Sequence, residues 1–216
     1  MLRIALRATI ITLMVCIGAY VFIGALQEKP PEHPLDFQDI TERPVNKPLN
    51  SVEDGLPYAI NRAHEWRKDA VLTDIEIISV GKNEIEGNKG KANYWFQLPC
   101  VNESNPGGII IISVNLNSNI IELVEAYHDD DYYKTKKIKE LKLKNLAFAD
   151  IKQLYDTAIN EIGKDNIFQY QQPFARMQIN SDYAVFNVSP SMEKQYPIKY
   201  SVKIDVKSGK VLGKEV

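Results

Sequence analysis

The sequence predicts an α+β protein: two tandem units, each one helix packed on an antiparallel β-sheet, following an N-terminal transmembrane helix. Three observations carry that expectation. An uncharged, mostly apolar run fills residues 8–26 behind Arg3 and Arg7. Two amphipathic helical stretches, beginning near Ser51 and Phe148, each precede a series of β-prone segments. Both series close alike, in "IISVNLNSNIIELVE" (residues 111–125) and "SVKIDVKSGKVLGKE" (residues 201–215), with the same alternation and turn position.

Residues 1–27 are the anchor or a signal sequence. Nineteen residues at 1.5 Å rise span roughly 28 Å, close to the hydrocarbon thickness of a bilayer. Arg3 and Arg7 favour a cytoplasmic N-terminus, which places the folded part outside the cytoplasm, in a periplasmic or extracellular location. Gly24 and Ala25 would suit signal cleavage and a secreted product, but the run exceeds a usual signal core, which favours a retained single-pass anchor. Residues 28–50 carry five of the eleven prolines: Pro30, Pro31, Pro34, Pro44 and Pro48. Proline fixes φ and removes a donor, so this stretch reads as a semi-rigid stalk.

Unit 1 covers residues 51–127. Ser51 and Asp54 have the spacing of a capping box with a shortened acid. Leu56, Ala59, Ile60, Ala63, Trp66 and Ala70 then recur at helical spacing. Strands follow in "AVLTDIEIISV" and "ANYWFQL", with "GKNEIEGNKG" and "PCVNESNPGG" read as loops. "IIIISVNL" and "IIELVEAY" flank Asn117, Ser118 and Asn119, a hairpin with an asparagine suited to left-handed backbone.

Residues 128–146 change character. Three aspartates precede a lysine-rich stretch with little apolar periodicity, the pattern of a solvated, charged connector. Unit 2, residues 147–216, repeats the order. Ile151, Leu154, Tyr155, Ala158 and Ile162 share a helix face that Gly163 ends. Strand signals run through "IFQYQQ", "FARMQI", "YAVFNV", "IKYSVKIDV" and "KVLGKEV". Ungapped alignment of the two closing hairpins sets Val114 with Ile204, Asn115 with Asp205, Ser118 with Ser208 and Asn119 with Gly209; the helices align through Ala63 and Ala158.

The alanine-bearing helix running into "AHEWRKDAVLTDIEI", the aromatic strand "ANYWFQL" and the closing "YSVKIDVKSGKVLGKE" together resemble the PepSY family, small cystatin-like units of one helix on an antiparallel sheet. The resemblance spans about 165 residues if both copies count, and its motifs are structural. Asn119 departs from the glycine usual at its position. The resemblance implies a protein-binding or protease-inhibiting role, as in propeptides of thermolysin-type proteases and in membrane-anchored envelope proteins, and no catalytic residues.

The chemistry-bearing stretches are sparse. In "HEWRK" (residues 64–68), Lys68 stands where a zinc-protease helix needs its second imidazole, and a cation cannot ligate. "HDDD" (residues 128–131) lacks the spaced acids and glycine of a calcium loop. Cys16 lies in the apolar run, which leaves Cys100 without a partner for a disulfide and with no signature linking it to His33, His64 or His128. No nucleophile elbow or glycine-rich phosphate loop occurs. A net charge of −2 from 26 basic and 28 acidic residues gives no footprint for nucleic acid. No catalytic residue, cofactor or metal is therefore expected. Trp66 and Trp95 are expected in the core. Tyr94, Tyr132, Tyr133, Tyr170 and Tyr183 are the raw material for a binding surface.

These readings converge on a non-enzymatic, membrane-tethered, extracytoplasmic binding or regulatory protein. Its expected partners are the membrane, through residues 8–26, and an envelope protein or peptidase. The alternatives are a propeptide-type protease inhibitor, and a small-ligand carrier or enzyme with a pocket between helix and sheet.

Overall fold

The structure is a computed structural model that describes residues 37–39, 42–87, 89–99, 107–128, 138–193 and 197–215, all within one compact unit spanning His33–Val216. The apolar run and the first part of the expected stalk lie outside the described residues. No helix among the described residues is long and apolar enough to cross a membrane.

The protein is α+β, with a few helices and one large antiparallel sheet. Its strands are β1 (Phe37–Asp39), β2 (Arg43–Pro44), β3 (Val71–Val80), β4 (Lys91–Leu98), β5 (Gly108–Asn115), β6 (Ile120–His128), β7 (Phe174–Asn180), β8 (Tyr183–Ser189), β9 (Tyr200–Asp205) and β10 (Val211–Glu215). The helices are α1 (Val52–Trp66), α2 (Lys82–Gly87), α3 (Ile151–Ile162) and α4 (Lys164–Phe168). The spatial order is β1-β6-β5-β4-β3-β7-β8-β9-β10, with β2 also on β6. The strands assigned to separate units meet at β3 and β7, paired antiparallel from Asp74–Asn180 to Val80–Phe174.

Alternation decides which side of each strand is buried. Ala92, Tyr94, Phe96 and Leu98 on β4, Ala175, Met177 and Ile179 on β7, and Ala184, Phe186 and Val188 on β8 all face the core. Val52, Ala59, Ala63 and Trp66 of α1, with Ile151, Leu154, Tyr155, Ala158 and Ile162 of α3, complete one continuous apolar cluster. Tyr155 meets Phe186 edge-to-face at 4.9 Å.

α1 begins as its sequence suggests, and α3 begins at Asp150, a cap not singled out from the sequence. Ser51 Oγ accepts from Asp54 N–H, while Asp54 Oδ2 accepts from Ser51 N–H. Asp150 Oδ1 accepts from Gln153 N–H in α3. Glu53 of α1 caps the other helix, its Oε1 accepting from Ile151 N–H at 2.7 Å. Gly163, at φ 92°, ends α3 in the backbone region that glycine adopts without strain.

Several stretches fold otherwise than expected. "GKNEIEG" forms α2, because burying Ile85 and accepting Val80 N–H on Glu84 Oε2 stabilise a turn of helix there. Ile167 lies in α4 rather than in a strand; the chain restarts a helix after Gly163 and buries that side chain completely. The Lys82 ammonium of α2 sits 5.3 Å from the Phe168 ring centroid of α4. Within the stretch read as a stalk, β1 and β2 pair with β6, and Leu49 is buried. Pro44 is tolerated because it occupies a sheet edge, where a missing N–H costs no ladder bond. The expected connector is not solvated throughout. Leu141 is buried, and its N–H donates to Leu72 O at the bulge where β3 shifts register.

The two closing turns share their hydrogen bonding. Asn115 Oδ1 accepts from the backbone of Asn117 and Ser118, and Asp205 Oδ1 accepts from Lys207 and Ser208. Asn119 (φ 57°) and Gly209 (φ 71°) both lie in left-handed conformation. Asparagine carries a bond that glycine could not: its Oδ1 accepts from Leu49 N–H at 2.6 Å and ties the segment before α1 to the hairpin.

Gly55 marks the closest approach of helix to sheet. A Cβ there would stand 2.5 Å from the buried Tyr94 Oη, which itself donates to Val52 O. Gly55→Ala is expected to destabilise the fold by about 1–3 kcal/mol. In a Tyr94→Phe background, which removes the clashing oxygen, the same substitution should cost clearly less. Urea midpoints of the four proteins test the coupling; equal costs in both backgrounds would refute it.

Candidate functional site

The sheet face turned away from α1 and α3 carries the main polar constellation. Arg176 on β7 bonds the Glu76 carboxylate on β3; Asn93 Nδ2 on β4 donates to Glu76 Oε2 at 2.6 Å; Ser113 Oγ on β5 donates to Asn93 Oδ1 at 2.6 Å. The row crosses four strands and includes the β3–β7 seam. Strand alternation puts these residues on one face, and antiparallel register brings them side by side. Glu76 and Ser113 are almost fully buried, while the Arg176 side chain is half exposed. Internal bonds occupy both Glu76 carboxylate oxygens, so the arrangement ties the strands together and presents no nucleophile or free base.

Beside this row, Asp74 pairs with Trp95 on β4 and Asn180 on β7. Burial holds its carboxyl above the ordinary carboxylate range, against side-chain hydrogen bonds from Thr73 and Gln178 that pull it down. Trp95 is half-buried on this face and does not join the core, whereas Trp66 is buried as expected.

A second cluster sits where the connector meets the β7–β8 turn. Asp182 accepts from Lys139 at 2.7 Å and from Lys207 at 3.2 Å, and these bonds hold its carboxyl below the usual range. A cavity of about 350 Å³ opens beside it, lined in part by Leu141, Leu146, Asp182 and Val206. It lies at the end of the hairpins, not between helix and sheet. Its polar groups neutralise one another rather than converge on an empty centre.

The stretches singled out in the sequence do not assemble into a site. His64 is exposed, its Nε2 3.3 Å from Ala70 O, and Lys68 is exposed as well. The neighbouring Arg67 is buried and bonds Asp69 and Pro99 O. Tyr94 is core, with burial pushing its phenol pKa upward. Tyr183 is exposed under the Lys203 ammonium, 4.0 Å from its ring centroid, and Tyr170 is half-buried. Cys100, Asp129 to Asp131, Tyr132 and Tyr133 lie outside the described residues. No group of three metal-capable side chains occurs among the described residues. Sequence reading missed the Arg176–Glu76–Asn93–Ser113 row. Alternation signals each outward polar residue, but nothing in one dimension aligns four strands.

Two outcomes follow from the charges on this face. Arg176→Ala leaves a nearly buried carboxylate held by Asn93 and is expected to cost about 1–3 kcal/mol, while Glu76→Gln should cost less because Arg176 can be solvated. Denaturant unfolding of both variants checks the order. For Asp74, the folded state holds the proton more tightly than the unfolded chain does. Its contribution is full below the unfolded carboxyl pKa and is lost as pH rises through the raised folded value. Asp74→Asn should therefore raise the melting temperature at about pH 7, with the gain fading toward about pH 3. A gain independent of pH would contradict this.

Comparison of the chain with protein-family models, with curated proteins and with solved structures finds no match.

Proposed function

We propose that this chain is a non-enzymatic, membrane-tethered, extracytoplasmic binding protein, built from two tandem PepSY-like units and acting through protein–protein contacts. The observation that carries the reading is the distribution of exposed apolar side chains. Among the described residues, the large exposed hydrophobics are Tyr183, Met192, Ile198, Val211 and Leu212, all in the last three strands and their connections. Exposed apolar side chains drawn from neighbouring strands and their connections suit a contact surface.

Register supports the tandem reading. Outward from the β3–β7 seam, Ile77–Ala92–Val114 and Ile179–Ala184–Ile204 occupy corresponding positions, as do Ile75–Tyr94–Ile112 and Met177–Phe186–Val202. The pairs Ile75–Ile179 and Ile77–Met177 exchange under the same twofold relation. Counted from the helix caps, Ser51 matches Asp150 and Ala59, rather than Ala63, matches Ala158. At the matched positions Gly55 and Leu154, and Tyr94 and Phe186, the smaller helix residue goes with the larger strand residue, and the Tyr94 hydroxyl lies under Gly55. The apolar run of residues 8–26 behind two arginines supports the tether.

The expected outcome is that the full-length chain fractionates with membranes, resists carbonate extraction, and is reached by externally added protease. A photoreactive residue at Met192 or Ile198 should capture a protein in those membranes, and one at the exposed Lys152 on α3 should not. A soluble product beginning near residue 26 would refute the tether, and equal labelling from both faces would refute the assigned surface.

A further inference from the structure

The two edges of the sheet differ in length: β1 and β2, of three and two residues, form one, and the five residues of β10 form the other. At one end, the backbone of β6 is covered on its outer side by β1 and β2, from Phe37–Ala126 to Pro44–Ile120. At the other end lies β10, paired with β9 alone, and no described residue pairs with its outer edge. All five residues of β10 are exposed, including Val211 at 38% and Leu212 at 57%. An uncovered edge presents unpaired N–H and C=O groups to any extended chain that meets it.

Lysines at an edge ordinarily repel another strand. Here Lys214 is turned back onto α3, where its ammonium donates to Glu161 O. The remaining charges on the strand and its approach are Lys210 and Glu215, of opposite sign and five positions apart. An antiparallel strand of the same sequence, related by a twofold between Leu212 and Gly213, sets Lys210 opposite the second copy's Glu215. It sets Val211 opposite the second copy's Lys214. Val211 pairs with Ile204 and Lys214 with Val202, both core-facing positions of β9, so this register keeps the helices of both copies on one side of the joined sheet.

From these observations we infer that β10 is a self-association edge, pairing antiparallel with β10 of a second copy so that the two sheets become continuous. The contact is short, below the area of a standard stable interface, and it draws on the local concentration supplied by tethering both copies to one membrane. It therefore rests on the tethered-binding reading and names a partner for it: another copy of this chain. The relation between copies would reproduce the antiparallel twofold pairing that already joins β3 to β7 within the chain.

The test uses full-length chains carrying donor and acceptor fluorophores in the same membrane, read by energy transfer above that of an unrelated anchored protein. Wild-type copies should transfer. Lys210→Glu and Glu215→Lys should each reduce association about tenfold, equivalent to about 1.4 kcal/mol, by placing like charges opposite each other. The double exchange should restore it. Val211→Lys with Leu212→Lys should abolish it, and these positions are exposed, so melting temperatures should stay near wild type. Absent transfer in the wild type, transfer that survives Val211→Lys with Leu212→Lys, or a double exchange that stays impaired would each overturn the pairing. Loss of the pairing with continued capture of a different protein at Met192 would leave the binding-protein reading intact.

Discussion

The antiparallel pairing of β3 with β7 is the constraint on which the rest of this molecule depends. Each strand would otherwise be the edge of a small sheet, exposing backbone donors and acceptors. Joined along Asp74–Asn180 to Val80–Phe174, they become the central strands of one large sheet. The helices follow from that choice. α1 and α3 lie on the same face and bury their apolar stripes in one core, and Glu53 of α1 caps the N-terminus of α3 across the shared surface.

Central placement also explains the chemistry of the opposite face. Glu76 is a carboxylate on a strand with neighbours on both sides, so water reaches it poorly and fixed partners must take over its solvation. Arg176 and Asn93 do so from the two adjacent strands, and Ser113 extends the row to a fourth. Asp74, two residues away, is held less completely, and burial dominates its proton affinity. The same arrangement that stabilises the seam leaves no carboxylate in this row free for catalysis. Apolar exposure is pushed to the β8–β10 end, where the chain supplies no covering segment among the described residues.

Much of the secondary structure was legible because it is written in short-range chemistry. The box of Ser51 and Asp54, the alternation in "ANYWFQL" and the matching turns closed by the side chains of Asn115 and Asp205 each depend on a few neighbouring residues. The misreadings share a cause. α2 is stabilised by burying Ile85 and α4 by burying Ile167, and a single anchoring side chain leaves no periodic signal. β1 and β2 have little strand character of their own and are extended because β6 offers them an edge. Leu141 sits among lysines yet is buried, because the bulge in β3 leaves Leu72 O open to its N–H.

The sequence by itself determined the α+β class, the two helices with the Ser51 start of one and the Gly163 end of the other, most of the strands and the paired turns with their left-handed residues. These are consequences of backbone conformation and local hydrogen bonding, which neighbouring residues control. Only the tertiary structure decided that the strands of both halves share one sheet, that Glu76 meets Arg176 across the join, and that β6 is covered while β10 is open. Those outcomes depend on which edges meet. Backbone edges are chemically alike along every strand, so the choice between them is made by the packing of the whole core.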